Sequence, residues 1–205
     1  MTPSEWITAV KDVLLGGAAL TTAVVAVTGL KKWRQELEGK SQFDAARGLV
    51  KSTYKLRDQL QVCRSPFYSA HEFPTDYKGS RGTNSAEEET RAWVHVYKNR
   101  WDSVWNAIQE FDSQTLEAES LWGASIRTKT EALRQCVQEV NVAIDAVISD
   151  KAVGGENFKA DKEFAKAMRS IVAASRDDEK NEMNQKMAKA ISSIEDEVRP
   201  HLRHS

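Results

Sequence analysis

The chain of 205 residues is long enough for one compact domain with a sizeable hydrophobic core. Its 29 lysines and arginines nearly balance its 30 aspartates and glutamates, so no overall electrostatic field favours nucleic acid or an acidic ligand. Only four prolines and ten glycines interrupt long runs rich in Ala, Glu, Lys, Gln and Leu, a composition that predicts an all-α fold.

An uncharged apolar stretch of 18 residues lies near the N-terminus, from Val13 to Leu30. A helix needs about 17 to 25 mostly apolar residues to cross a bilayer, so residues 1–32 are predicted to form a transmembrane anchor. Trp6 and Trp33 would lie about 40 Å apart along this helix, one at each membrane interface. The alternatives are a signal peptide, although the start MTPSEW lacks a basic segment, and a buried helix of a soluble protein.

Basic residues follow this stretch at Lys31, Lys32 and Arg34, whereas only Lys11 precedes it. The positive-inside rule therefore predicts a single-pass protein with its N-terminus outside and its C-terminal domain in the cytoplasm. Because each cation near the surface attracts anionic lipid by about 1 kcal/mol, an anionic-lipid-binding module is one alternative function. The predicted membrane-interface residues are Trp6, Lys31, Lys32, Trp33 and Arg34.

Small residues recur every four positions within the apolar stretch, at Ala18, Thr22 and Ala26. Small side chains at this spacing let two helix backbones approach closely, so the pattern permits self-association through the anchor. The simpler interpretation is that Ala, Gly and Thr are common in membrane helices.

Residues 33–205 are predicted to form a cytoplasmic bundle of four to five helices in which neighbouring helices are antiparallel. Apolar residues three and four positions apart predict a first helix from Trp33 to about Arg64, which continues the anchor or bends at Gly39. Pro66 ends this helix, because the residue before a proline disfavours helical geometry.

A long connection at residues 66–85 precedes the second helix. Ser85 is a predicted N-cap, because Glu87 and Glu88 follow it in the first turn. The second helix carries a stripe of large apolar residues at helical spacing, which predicts core rather than a ligand site. The stripe consists of Trp93, Tyr97, Trp101, Val104, Ile108 and Phe111, with Trp105 beside it.

Two further helical regions complete the predicted bundle. The first has apolar residues in steps of three and four from Ile126 to Val147 and ends at Gly154. The second begins near Asp161 and contains the run RDDEKNE, which starts at Arg176 and has no apolar residue. One long helix with a solvated middle and two separate helices both fit this pattern, and we favour a break near Arg176.

Catalytic and cofactor-binding motifs are incomplete in this sequence. The GKS tripeptide at residues 39–41 lacks the upstream glycine and the strand of a P-loop, and His71-Glu72 lacks the second histidine of HExxH. Neither Glu-x-x-His nor GxSxG occurs. Cys63 and Cys136 form no CxxC motif and are predicted to be free thiols in a reducing compartment. No catalytic residue, metal ligand or cofactor is therefore predicted.

Polar residues in and beside the 66–85 connection are the remaining candidates for function: Arg64, His71, Glu72 and Asp76. Long loops in compact domains are usually either functional or mobile. A hydrolytic or nucleotide-related enzyme would require these four groups to converge in one pocket with shifted pKa values. The simpler interpretation is that they are solvated or paired locally.

Several short motifs follow the apolar span in a fixed order. They are Trp33-x-x-x-Leu37-x-Gly39-Lys40, Ala46-Arg47, Tyr54-Lys55-Leu56-Arg57-Asp58, Arg64-x-Pro66-Phe67, Glu72 and Leu121-Trp122-Gly123. This ordered spacing resembles a group of small uncharacterised bacterial single-pass membrane proteins. The resemblance covers mainly residues 6–73 and implies location in the bacterial inner membrane. It also implies that the first cytoplasmic helix, the following loop and Trp122 pack as one unit, but it implies no activity.

The sequence thus predicts a membrane-anchored helical interaction module, either a sensor, an adaptor or an accessory subunit, without catalytic activity of its own. The expected partners are the lipid bilayer and a protein partner or a second copy of the chain. Nucleic acid is not expected, and a small-molecule ligand is left open. His201 and His204 in the C-terminal tail are expected to have no specific role.

Overall fold

The computed structural model describes residues 3–79 and 84–202, with side-chain surroundings described for residues 11, 14–18 and from 20 onwards. Within these ranges all regular secondary structure is helical, which confirms the all-α prediction. The α-helices are α1 Pro3–Cys63, α2 Ala86–Trp122, α3 Ala124–Ala152, α4 Glu156–Ala160, α5 Lys162–Val172 and α6 Glu182–Val198. Two short 3₁₀ helices, Ala70–Glu72 and Arg199–Leu202, accompany them.

Helix α1 runs without interruption for 61 residues and passes through Gly39, the position of the expected bend. Every described side chain between residues 14 and 38 is exposed, and we call this segment the exposed arm. From Ala45 onwards the same helix contributes fully buried residues to the core, among them Leu49 and Leu56. One continuous helix therefore has two different environments.

The bundle is antiparallel, as the pairs between helices show. Along α1, Lys55 pairs with Glu110 of α2, and the end of α1 meets Arg100, so residue numbers fall along α2 as they rise along α1. Between α1 and α6, Tyr54 donates a hydrogen bond to Glu195, whereas Arg64 meets Asn184 further back along α6. Helices α2 and α6 therefore both run opposite to α1.

Helices α2 and α3 form a hairpin around a single residue, Gly123. Its φ of 75° lies in the left-handed region, which glycine adopts without a steric penalty. Helix α6 then runs antiparallel to α3, with Lys129 paired to Glu197 and Lys186 paired to Glu139. This arrangement confirms the predicted antiparallel packing of neighbouring helices.

The chain between α5 and α6 is not helical, which confirms the break predicted near Arg176. The short helix α4 was not predicted, because its five residues are too few to show a helical period. Phe164 of α5 is a large apolar residue that is 43% exposed. Trp105 is 54% exposed, whereas Val104 and Phe111 of the predicted stripe are fully buried.

The C-terminal tail has a packing role that the sequence analysis did not assign to it. The His201 ring stacks on Trp122 with 4.3 Å between ring centroids, and its Nδ1 lies 3.1 Å from Oε1 of Gln42 in α1. Because Gln42 and Cys63 lie about 30 Å apart along α1, Trp122 and the loop after α1 pack at opposite ends of the bundle. Helix α1 and Trp122 share one hydrophobic core, whereas the loop after α1 packs at the other end of that core. His204 lies outside the described residues.

Both cysteines are free, as the sequence predicted, and both are buried. Burial raises the pKa of the Cys63 and Cys136 thiols to about 11 in each case. The reactive thiolate is therefore scarce at neutral pH, and both residues act as small apolar core groups.

Candidate functional site

A cleft lies at the end of the bundle that is remote from the exposed arm. The chain leaves α1 at Cys63 and enters α2 at Ala86, while α3 ends beside this connection at Ala152. At 1.5 Å per residue, the helix from Leu30 to Cys63 is about 50 Å long. The cleft is therefore about 50 Å from the end of the apolar stretch.

Arg100 of α2 fixes the first part of the connection. Its guanidinium donates hydrogen bonds to the carbonyl oxygens of Cys63, Ser65 and Phe67, at 3.2, 2.9 and 2.7 Å. It also forms an ion pair with Glu72, at 2.6 Å from Nε to Oε2. The Arg100 side chain is only 8% exposed, so this one cation satisfies three carbonyl groups at and beyond the end of α1.

Glu72 is held from two directions. Its carboxylate accepts the Arg100 ion pair and also a hydrogen bond from the Ser69 amide at 2.8 Å, as part of a capping box. The hydrogen bond from Arg100 holds the pKa of Glu72 below its ordinary value, although burial acts in the opposite direction. Glu72 is therefore ionised at neutral pH and serves to hold the connection in place.

Four half-buried aromatic side chains form one wall of the cleft. The Trp93 ring meets Tyr68 edge-on at 4.7 Å and Phe73 edge-on at 5.4 Å between centroids. Phe73 in turn stacks on Tyr77 at 4.9 Å. Aromatic pairs of this geometry contribute about 0.5–1.5 kcal/mol each beyond their buried area, so the wall is a packed unit.

Glu89 is the polar centre of this wall. It accepts hydrogen bonds from the Tyr77 hydroxyl at 2.7 Å, the Trp93 indole N–H at 2.8 Å and the Lys151 ammonium at 3.2 Å. Burial alone raises the pKa of Glu89, but these three hydrogen bonds outweigh it and hold the pKa below its ordinary value. Burial and the bond to Glu89 raise the pKa of Tyr77 to about 12. The protonation states of both groups are thus fixed at neutral pH.

The space beside this wall is a cleft of about 1160 Å³. Its charged lining residues are Lys78, Lys151, Arg169, Glu89 and Asp150. Asp150 is buried and accepts a hydrogen bond from the backbone amide of Phe158 at 2.8 Å, so its carboxylate already has a partner. Because Glu89 is in an ion pair with Lys151, two cations, Lys78 and Arg169, and one carboxylate, Asp150, remain in the lining, so its net charge is positive.

Arg169 is an exposed residue of α5 whose charge faces the cleft. Its guanidinium lies over the Phe158 ring, 5.2 Å from the centroid. Among residues 3–79 and 84–202, no carboxylate lies within ion-pair distance of it. Lys151, in contrast, is paired with Glu89 and lies 4.5 Å from the centroid of Trp93. The lining therefore combines an aromatic wall with a guanidinium that has no counter-charge in the described part of the chain.

The four predicted candidates do not converge. Arg64 points into the bundle, Glu72 pairs with Arg100, and Asp76 pairs with Arg91 on the surface. His71 is exposed and its Nδ1 lies 2.7 Å from the Ser69 hydroxyl. The pocket that the enzyme alternative requires from these four side chains is therefore not assembled.

Arg64 is 1% exposed and is the largest fully buried side chain in the described residues. Its guanidinium donates hydrogen bonds to the Ile171 carbonyl at 2.6 Å, to Asn184 Oδ1 at 2.7 Å and to Asn181 Oδ1 at 3.0 Å. The Arg64 carbonyl accepts a hydrogen bond from the Ala174 amide at 3.1 Å. Burial lowers the pKa of Arg64, but an arginine remains protonated in proteins. Arg64 therefore connects the end of α1 to the junction of α5 and α6.

Four residues that build the cleft were not among the predicted candidates: Arg100, Glu89, Lys151 and Arg169. One signal was available. Glu89 lies near the start of one predicted helix and Lys151 near the end of the next, and an antiparallel hairpin brings those two ends together. The partners of Arg100 lie at and after the end of α1, and Phe158, the partner of Arg169, lies in the five-residue helix α4. These segments are too short for a helical period to predict their path.

The predicted membrane-interface residues Lys31, Lys32, Trp33 and Arg34 all lie on the exposed arm. Trp33 is 58% exposed, and none of the four takes part in an ion pair within the described residues. The side chain of Trp6 lies outside the described residues. These positions are thus available to a membrane surface.

Comparison of the chain with protein-family models, with curated proteins and with solved structures found no match. Within residues 3–79 and 84–202, no three His, Cys, Asp or Glu side chains come together as a group that could hold a metal ion. The residues that line the cleft are therefore the basis for inferring its chemistry.

Proposed function

We propose that the protein is a single-pass membrane protein whose helical bundle acts as an interaction module without catalytic activity of its own. The observation that carries this proposal is the division of α1 into two environments. In the exposed arm, none of the described side chains in the most apolar stretch of 18 residues is buried. The C-terminal half of the same helix belongs to the bundle core. Exposed apolar surface of this extent has to be covered, and a bilayer covers it on all sides.

The alternatives fit this observation less well. A core helix of a soluble protein would bury its apolar window, but the leucines and valines of the arm are exposed, with Leu20 at 71% and Val24 at 62%. A cleaved signal peptide ends before the mature domain, whereas here the same helix continues into the bundle core. The exposed arm therefore favours a retained membrane helix.

The orientation follows from the basic residues at the C-terminal end of the span. Lys31, Lys32 and Arg34 would lie at the cytoplasmic headgroups, with the bundle in the cytoplasm of a bacterial cell and the N-terminus outside. Trp33 would lie in the interface beside them. These cations also attract anionic lipid headgroups. This attraction helps to hold the anchor in the membrane and is not a separate lipid-binding function.

An interaction role is favoured over an enzymatic one because the candidate side chains are used for structure. Arg64, Glu72 and Arg100 hold helices and loop together, and Asp76 forms an exposed ion pair. A sensor, an adaptor or an accessory subunit needs a stable bundle fixed to the membrane, and these contacts provide one.

Membrane fractionation with an alkaline carbonate wash tests the anchor. We expect the wild-type chain to remain in the pellet, and a Leu20→Arg/Val24→Arg variant to be released, because each arginine at the centre of a span costs about 2.5–3.5 kcal/mol of insertion. Val142→Arg is the matched control, since Val142 is a 56% exposed apolar residue of the bundle. Release of the wild-type chain into the supernatant would contradict the proposal.

Crosslinking in intact membranes tests the interaction role. The full-length chain is crosslinked, extracted in mild detergent and analysed for mass. A complex of defined stoichiometry, either with a second copy of the chain or with another protein, is the expected result. A chain that stays monomeric at every crosslinker concentration would argue against an interaction module.

A further inference from the structure

We propose that the cleft at the end of the bundle binds a small water-soluble ligand that combines a flat apolar ring with an anionic group, either a carboxylate or a phosphate. This inference deepens the proposed function and rests on it in one respect, the location of the cleft on the aqueous side. It would make the bundle a ligand-responsive sensor rather than an adaptor alone.

The cleft has a fixed shape, which is the first requirement for selective binding. Arg100 ties the connection to α2 through three carbonyl oxygens and Glu72. Glu89 ties the aromatic wall together and joins it to Lys151 at the end of α3. Binding sites with pre-formed walls lose little conformational entropy when the ligand enters.

The aromatic wall selects a flat ring. Tyr68, Phe73, Tyr77 and Trp93 are each half-buried, so part of each ring remains open to the cleft. A planar apolar group can meet these rings edge-on or stacked, the two arrangements that they already adopt with one another. An aliphatic or strongly hydrated ligand would gain less from this wall.

The charges of the cleft select an anion. Glu89 is neutralised by its ion pair with Lys151, whereas Asp150 accepts a hydrogen bond from the Phe158 amide and keeps its charge. The two remaining cations of the lining, Lys78 and Arg169, outnumber this one carboxylate. Arg169 presents a guanidinium that no described carboxylate neutralises, and a guanidinium matches the geometry of carboxylate and phosphate oxygens. Lys78, an exposed residue that also lines the cleft, adds a second cation.

The location of the cleft limits the source of the ligand. Because α1 is a continuous helix, the cleft lies about 50 Å from the end of the apolar stretch, beyond the reach of a lipid headgroup. The anionic group therefore belongs to a dissolved molecule rather than to a membrane lipid.

Isothermal titration calorimetry of the full-length chain in lipid nanodiscs tests the inference. Phenyl phosphate is the probe, inorganic phosphate is the control for the anion alone, and benzamide is the control for the ring alone. The buffer contains no phosphate, and empty nanodiscs give the blank. We expect saturable binding of one phenyl phosphate per chain, with both controls about tenfold weaker or more.

Two variants of α5 assign the binding to the cleft. Arg169→Gln removes the cleft guanidinium and should weaken phenyl phosphate binding about tenfold or more. Lys166→Gln removes an exposed cation of the same helix that does not line the cleft, and should leave the affinity unchanged within about twofold. Both positions are exposed, so neither variant is expected to unfold the bundle.

The possible results of these experiments distinguish a failure of the ligand inference from a failure of the proposed membrane anchor. Absence of saturable binding, or an equal effect of the two variants, would overturn the ligand inference. Tighter binding of inorganic phosphate than of phenyl phosphate would overturn the role of the aromatic wall. Carbonate fractionation does not involve the cleft, so a chain that is retained in the pellet but binds no phenyl phosphate would leave the proposed anchor standing.

Discussion

Replacement of Arg64 by methionine tests whether the buried guanidinium holds the α5–α6 junction against α1. Methionine keeps an unbranched side chain of similar length but cannot donate hydrogen bonds. The substitution leaves two acceptors without the donor that the described residues provide, namely the Ile171 carbonyl and the side-chain oxygen of Asn184. The side-chain oxygen of Asn181 loses one of its two donors and keeps the backbone amide of Asn184. The junction between α5 and α6 would then lose its main connection to the end of α1.

The expected cost follows from these contacts. A buried acceptor left without its donor costs about 1–3 kcal/mol, so the two orphaned acceptors and the hydrogen bond lost at Asn181 would together cost about 3–5 kcal/mol. The loss is partly offset, because the variant no longer has to bury a charge that has no carboxylate partner in the described residues. We therefore expect Arg64→Met to lower the free energy of unfolding by about 3 kcal/mol.

Urea unfolding of the full-length chain in nonionic detergent, followed by tryptophan fluorescence, measures this change. Four of the six tryptophans lie in α2, so the signal reports on the bundle. Arg57→Met, two turns earlier in α1, is the matched control. Arg57 forms a partly exposed ion pair with its neighbour Asp58 and lies over the Tyr54 ring, so its replacement should cost about 1 kcal/mol. If Arg64→Met and Arg57→Met had the same midpoint and slope, Arg64 would not be the connection described above.

Three further predictions concern the core, a close helix contact and pH. Val140→Asp should unfold the bundle, because Val140 is fully buried and an unpaired buried carboxylate costs several kcal/mol. Val142→Asp is the control on the exposed side of the same helix, and it should change the melting temperature little. Gly48→Ala should stay within about 1 kcal/mol of wild type. A Cβ at Gly48 would lie 1.8 Å from the Gln114 amide oxygen, but that oxygen is at the end of a flexible side chain that can move away. A loss of unfolding free energy well above about 1 kcal/mol would show that the Gln114 side chain cannot move. Because the pKa of Glu72 is lowered on folding, its stabilising effect is complete above the unfolded pKa and disappears as pH falls through the folded pKa. Thermal melts between about pH 5 and 3 should therefore decline less steeply for Glu72→Gln than for wild type, and parallel profiles would contradict the ion pair.

The helices and their ends could be predicted because their signals are local. Ser85 forms a capping box with Glu88, as the acidic first turn indicated, and α1 ends at Cys63, before Pro66. The break between α5 and α6 was visible as a run without apolar residues. Each of these features depends on residues within one or two turns of helix, so a single sequence contains enough information to place them.

The cleft could not be predicted in the same way, because its contacts join residues far apart in the chain. Arg100 and Glu72 are 28 positions apart, and Lys151 and Glu89 are 62 positions apart. The pattern of α2 shows Arg100 only as one polar residue beside an apolar stripe. His71 and Asp76 were predicted as candidates because they lie in a long loop rich in polar and aromatic residues. The aromatic residues of that loop line the cleft, whereas its acids and its histidine do not.

Two arginines from different helices determine how α1 is held. Arg64, at the end of α1, reaches towards α5 and α6, whereas Arg100 reaches from α2 to the carbonyl groups that follow α1. The end of α1 is therefore fixed from both sides by side chains that are almost fully buried. Since the exposed arm belongs to the same uninterrupted helix, rotation of the arm relative to the bundle requires either one of these hydrogen-bond networks or the helix itself to break.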